Sequence, residues 1–263
     1  MAIYAGEPIT AAGVLLDGEH ALHHQSYAPN ELLSGSVNAD GFGVGWYDRK
    51  VSRQPGCYRR SSPIWADRDL PGLGRLLSSE ILLANVRNAT DSSTSGVHSA
   101  QPYNEGDYLF MHNGFVEGFR EKMKRQLRGR LSDRGYAALQ TSTDSETLFQ
   151  LLVDALDAGD DLAAAMVALI GDLDLLTREA GLTLQLNMAL SDGQHVVVSR
   201  WSNVERSNSL YLLDRDGAFP EGSMVASEPL TPGDAWAAVP HQSLVTLSPG
   251  RPAEVQPLQL PPS

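Results

Sequence analysis

The sharpest change of polarity along the chain falls between Tyr108 and Val116. Leu109, Phe110 and Met111 form an apolar run that reads as a buried strand, and His112, Asn113 and Gly114 follow it. That triplet predicts a polar turn at the strand's end, where Asn-Gly is a frequent choice. The turn also has chemical potential. An Asn amide beside a glycine offers a side-chain NH2 and a backbone N–H to one spot, the two donors an oxyanion hole needs.

On the N-terminal side, the pattern begins as a short apolar strand, Met1 to Gly6, and leads through Ile9–Leu22 to a loop at His23–Pro29. From Asn38 to Asp48, glycines at 41, 43 and 45 share one strand face, and Phe42, Val44 and Trp46 share the other. A bare glycine face admits another backbone or a ligand at close range. The glycine spacing does not fit a dinucleotide loop. Glu80 to Arg87 is a further strand, nearly continuous in apolar residues, that ends in Arg87-Asn88-Ala89-Thr90. An arginine leaving a buried strand needs an anion, either an internal carboxylate or a substrate's.

Past the centre, Phe119 to Arg134 carries seven Lys or Arg at helical spacing and reads as a solvated helix face. Thr143 and Glu146 fit a capping box that opens an amphipathic helix. Asp144 at that helix start is either plain capping chemistry or a fixed carboxylate. A second helix is predicted over Asp161–Arg178, followed by a hairpin, Leu182–Leu190 with His195–Ser199, and strands at Ser209–Leu213 and Met224–Glu228. The Pro-rich tail from Pro249 is expected to pack loosely. This order predicts one layered α+β domain over residues 1–263, with two sheets and helices outside.

Composition narrows the function. The 263 residues are 42% hydrophobic with a net charge of −12, which argues against nucleic acid or an anionic membrane as partner. No apolar run has bilayer length and the N-terminus lacks a leader pattern, so a cytoplasmic location is expected. A single cysteine, Cys57, excludes an internal disulfide framework and a Cys-rich zinc site. The pair His23-His24 has no carboxylate or thiol at ligand spacing, so no metal and no cofactor is expected.

Taken together, Arg87-Asn88-Ala89-Thr90, His112-Asn113-Gly114 and Ser142-Thr143-Asp144-Ser145-Glu146 resemble, in order and spacing, the class II (N-terminal nucleophile) glutamine amidotransferase domain. Gln25–Pro29, Asn38–Trp46, Ser61–Trp65 and Ala226–Pro229 look like its stand-alone branch in ergothioneine biosynthesis, the γ-glutamyl hercynylcysteine sulfoxide hydrolases. The resemblance covers nearly the whole chain. It implies a four-layer α/β/β/α Ntn-hydrolase sandwich and hydrolysis of a small γ-glutamyl amide, with no synthetase partner. Homo-oligomerisation is left open.

By position, the resemblance makes Asn113 and Gly114 the oxyanion hole, with His112 beside them. Arg87, flanked by Thr90, would take the substrate's α-carboxylate, and Asp144 its α-ammonium. For a trimethylammonium on the leaving half, Trp46 and Trp65, with Tyr27 and Tyr47, are the aromatic candidates. The family's nucleophile is a cysteine directly after the initiator Met, and here that position is Ala2. An alanine methyl attacks nothing, so the chain as written is expected to be inactive. An introduced Cys→Ala replacement and a natural γ-glutamyl-binding protein are the two readings. The nearest rival function is a hydrolase of glutamine or of another γ-glutamyl compound.

Overall fold

The computed structural model describes residues 1–31, 36–88 and 96–260. Its first part runs β1 (Ala2–Thr10), α1 (Ala11–Leu15), α2 (Leu22–Tyr27), β2 (Phe42–Trp46), β3 (Gly56–Arg60), α3 (Leu70–Leu76) and β4 (Ser78–Val86). The middle holds β5 (Tyr103–Glu105), β6 (Tyr108–Val116), α4 (Lys124–Arg128), α5 (Asp133–Ala138), α6 (Asp144–Asp157) and α7 (Leu162–Glu179). The last part is β7 (Leu184–Ser191), β8 (Val196–Ser202), β9 (Tyr211–Asp214), β10 (Gly222–Ala226), β11 (Ala237–Ala238), β12 (Ser243–Leu247) and β13 (Glu254–Pro257). Among the described residues these strands make two antiparallel sheets, ordered β11-β9-β10-β1-β4-β2-β3 and β13-β12-β8-β7-β6-β5.

Side-chain alternation explains the layering. On β1, Ile3 and Ala5 face Leu109, Met111, Ala189 and Val198 across the gap between the sheets. Ala2 and Tyr4 point the other way, into the cluster with Val14, Leu15, Leu22 and Leu70 beneath the N-terminal helices. On β6, Phe110 turns from the inter-sheet face toward α6 and α7, where it stacks on Phe149 with centroids 5.4 Å apart. The result is a four-layer α/β/β/α sandwich. Burial of each such large side chain stabilises it by about 1.5–3 kcal/mol.

The glycine face of β2 is used for close approach, as its pattern predicts. A Cβ at Gly43 would meet the Gln101 carbonyl at 2.5 Å, and one at Gly45 would meet Leu109 at 2.8 Å. The visitor is the second sheet and its entry loop, not a ligand.

Four local expectations are corrected. His112, Asn113 and Gly114 do not turn; they continue β6, paired with Met188, Asn187 and Leu186 of β7. Pairing with β7 on one side and the Gln101 side chain on the other hold the segment extended, which outweighs the turn preference of Asn-Gly. Of the loop expected at His23–Pro29, His23 to Tyr27 lie in α2 and only Ala28 and Pro29 are outside it. Phe119–Arg134 is not one helix but a π-helical turn at Phe119–Met123, then α4, then α5. Phe119, Met123 and Leu127 are drawn into the core there, while Arg120, Lys122 and Arg125 stay exposed. The tail is not loose, because β13 pairs along β12 and Leu258 is buried.

Candidate active site

At one end of the sandwich a cavity of about 680 Å³ opens. Its wall is assembled from Met1, the end of β4 with Asn85 and Arg87, the segment His112–Val116 of β6, the start of α6, and Asn208, Ser227 and Glu228 from loops. Residues far apart in the chain meet here because the start of β1 and the ends of β4 and β6 reach the same end of the sandwich.

The acidic corner is set by capping. Thr143 is the N-cap of α6, and its hydroxyl accepts from Glu146 N–H at 3.2 Å. The reciprocal half of the box is absent. The Glu146 carboxylate instead accepts from the N–H groups of Gln140 and Thr141 and from the Thr141 hydroxyl, each at 2.7 Å. That ties down the approach to α6. Asp144 then accepts from Ser145 N–H at 2.7 Å and from Val116 N–H at 3.0 Å. The carboxylate is thus pinned between the helix N-terminus and β6, where the helix dipole favours negative charge. It lines the same cavity as Arg87.

His112 lines the cavity, but its ring is engaged on both sides. Nε2 lies 3.1 Å from the Gln185 carbonyl, which only accepts, so Nε2 carries the proton. Nδ1 lies 3.0 Å from the Ser145 hydroxyl, which also lies 3.3 Å from Asp144 Oδ1. The His112 main chain is clasped by the Gln101 side chain, which accepts its N–H at 2.7 Å and donates to its carbonyl at 3.1 Å. The ring therefore joins β6 to α6 and β7. Next to it, Gly114 has no room for a side chain: a Cβ would lie 1.9 Å from the Gln185 carbonyl oxygen.

Met1, not Ala2, lines the cavity. The Met1 amine donates to the Ser227 hydroxyl at 2.8 Å, and Ser227 N–H returns a bond to the Met1 carbonyl at 3.0 Å. Burial pushes this amine down to about 6, with the Glu228 carboxylate opposing. The Ala2 methyl is buried on the helix-facing side, opposite Ala84 and Ala226 of the flanking strands. Cys57 sits on β3, outside the lining. Burial pushes its thiol up to about 11, so it supplies no ready thiolate.

The aromatic candidates are elsewhere. Trp46 packs over Gly56 at the edge of the first sheet, and Trp65 is exposed against Tyr27, with centroids 6.3 Å apart. Tyr47 is buried, its hydroxyl donating to the Asp107 and Ser191 carbonyls. None of the four lines the cavity among the described residues. Thr90 lies outside the described residues. Sequence reasoning missed Gln25, Asn85, Gln101, Tyr103 and Asn208, all in the lining. Single polar residues in loops, at strand ends or in a short helix such as α2 leave no periodic signal by which to find them.

Comparison with known proteins gives this geometry a family. The model of class II glutamine amidotransferases matches residues 20–221. The chain is 30% identical to the γ-glutamyl-hercynylcysteine sulfoxide hydrolase of Mycolicibacterium smegmatis over 92% of each protein. It is 32% identical to the probable glutamine amidotransferase DUG3 of Saccharomyces cerevisiae, over 92% of this chain and 79% of that one. Among solved structures, a glutamine aminotransferase class-II domain protein from Silicibacter pomeroyi superposes with a TM-score of 0.72 at 27% identity, covering 98% of both chains. The chain belongs to the class II glutamine amidotransferases.

Proposed function

We propose that the cavity holds a γ-glutamyl compound by its amino-acid head group, and that this compound is γ-glutamyl hercynylcysteine S-oxide. The observation that carries the reading is that Arg87, Asp144, Asn113 and Gly114 line one cavity, at the edge where β1 begins. One fixed cation and one fixed anion match a zwitterion, and Asn113 with Gly114 stand by the amide carbonyl. At about 680 Å³ the cavity is large enough for a γ-glutamyl group with a sizeable leaving half. The name of the Mycolicibacterium smegmatis relative supports the choice of leaving half.

Hydrolysis needs a nucleophile at position 2. With a cysteine there and a free amine, the amine would take the thiol proton and the thiolate would attack the γ-carbonyl carbon. The C–N bond would break as that proton passes to the leaving nitrogen. Water would then cleave the thioester to release glutamate. Ala2 supplies no thiol, and with Met1 attached its nitrogen is an amide rather than an amine. The chain as written therefore binds but does not turn over.

A second reading, a γ-glutamyl-binding protein with no catalytic role, is favoured by the Ala2 methyl packing against Ala84 and Ala226 in the buried outer cluster. Turnover by an Ala2→Cys protein lacking Met1, given the sulfoxide and glutamine in parallel, separates the readings. Glutamate released from the sulfoxide supports the hydrolase, preference for glutamine moves it to a general amidohydrolase, and silence on both leaves the binding protein.

A further inference from the structure

We propose that Asn208 is a positioning residue that fixes which end of the Asn113 amide faces the cavity. The inference rests on the γ-glutamyl reading for its consequence and on hydrogen-bond geometry for its logic. The Asn208 side chain reaches Asn113 twice, with Nδ2 at 3.3 Å from the main-chain carbonyl oxygen and at 3.2 Å from Oδ1. A main-chain carbonyl can only accept, so the end of Asn208 that faces it is the NH2. The end of the Asn113 amide that meets this NH2 must then be its oxygen. The NH2 of Asn113 is left turned away from Asn208, on a side chain that lines the cavity. That is the orientation an oxyanion donor requires.

The loop carrying Asn208 is held firmly enough to impose this choice. Asn208 N–H donates to Gln185 Oε1 at 3.1 Å, and Asn187 Nδ2 donates to the carbonyls of Asn208 and Ser209 at 3.3 and 3.0 Å. Gln185 and Asn187 are themselves buried on β7, and Asn187 is the cross-strand partner of Asn113. One strand thus backs both the donor on β6 and the residue that orients it. An asparagine at 208 is needed for its NH2, because an acceptor there would attract the Asn113 NH2 and turn the carbonyl into the cavity.

The test compares Asn208→Ala with Asn208→Asp in the otherwise unmodified chain. The ligands are glutamine, which carries the γ-carbonyl, and norvaline, which keeps the head group and lacks the amide. Removing one orienting bond in Asn208→Ala should weaken glutamine by about fivefold, and reversing the amide in Asn208→Asp by more than about tenfold. Norvaline affinity should be unchanged in both. The Asn113 side-chain amide resonances should shift in Asn208→Asp beyond their position in Asn208→Ala. Equal loss in the two variants, or a parallel loss of norvaline, would overturn the proposal, since either marks a merely structural role. If the unmodified chain binds neither ligand, the γ-glutamyl reading falls. The Asn113 resonances still decide the orientation: reversal in Asn208→Asp upholds it and no change refutes it.

Discussion

Gly114→Ala tests the link between strand packing and chemistry directly. The added Cβ would lie 1.9 Å from the Gln185 carbonyl oxygen, where ordinary contact begins at 3.4 Å, and 2.7 Å from His112 Nε2. The first obstacle is backbone in the middle of a buried sheet and cannot swing aside like a side-chain tip. Either β6 or β7 must therefore move by about 1.5 Å at this point. Overpacking of this kind costs about 1–3 kcal/mol. The move also breaks the bond from His112 Nε2 to the Gln185 carbonyl, adding about 1 kcal/mol. We expect a loss of about 2–4 kcal/mol, read as a lower urea midpoint with unchanged slope. Where β6 is the strand that yields, the shift carries the Gly114 N–H beyond hydrogen-bond reach of a bound carbonyl. In the Ala2→Cys background, turnover should then fall by about 10²-fold or more. A variant as stable as the parent, within about 0.5 kcal/mol, with turnover intact would refute the reasoning.

Glu146→Gln keeps the shape of a buried side chain but replaces an acceptor by a donor that faces N–H groups. With bonds from Gln140, Thr141 and the Thr141 hydroxyl at stake, a loss of about 2–4 kcal/mol in urea unfolding is expected, and under about 0.5 would contradict the role assigned to it. Protonation of the Met1 amine is disfavoured in the folded state, where it titrates near 6 instead of 8.0, so the unfolded chain binds the extra proton between those values. Stability should therefore be lowest below pH 6 and recover by about 2–3 kcal/mol as pH rises toward 8. His241, pushed down by burial and by Arg200, acts in the same direction, and a flat profile of urea midpoints from pH 5.5 to 8.5 would exclude both effects. Cys57, with its thiol near 11, should react with iodoacetamide at pH 8 about 10²-fold more slowly than a free cysteine. Alkylation at the free-thiol rate would mean that the thiol is not held as the structure shows.

What the sequence made legible follows from how each element earns its stability. Strands and helices that bury one face write that need into their periodicity, and so β2, β4, the first half of β6, α6, α7 and the β7–β8 hairpin were found where they stand. The half-built capping box shows where this fails. Thr143 caps α6 as its residue type demands, but whether Glu146 reaches back to the cap or forward to the Gln140–Thr141 loop depends on a loop path that no local pattern encodes. His112-Asn113-Gly114 shows the same limit from the other side. Its local preference is for a turn, and only the presence of β7 alongside converts it to strand.

The site divides along the same line. Arg87 follows the end of β4 and Asp144 starts α6, while Asn113 and Gly114 stay within β6, and all four line the cavity. Trp46 and Trp65 were chosen for their aromatic faces alone, and aromatic faces are as useful to packing as to a cationic ligand; the structure uses Trp46 to cover Gly56 and sets Trp65 beside Tyr27. Asn208 was invisible because nothing about a polar residue in a loop says which strand it will touch. Its part emerges only from the carbonyl of Asn113, which can accept and never donate and so fixes the direction of every bond around it. The specificity of such a site therefore resides less in the residues that meet the ligand than in those that decide which way the ligand-facing groups point.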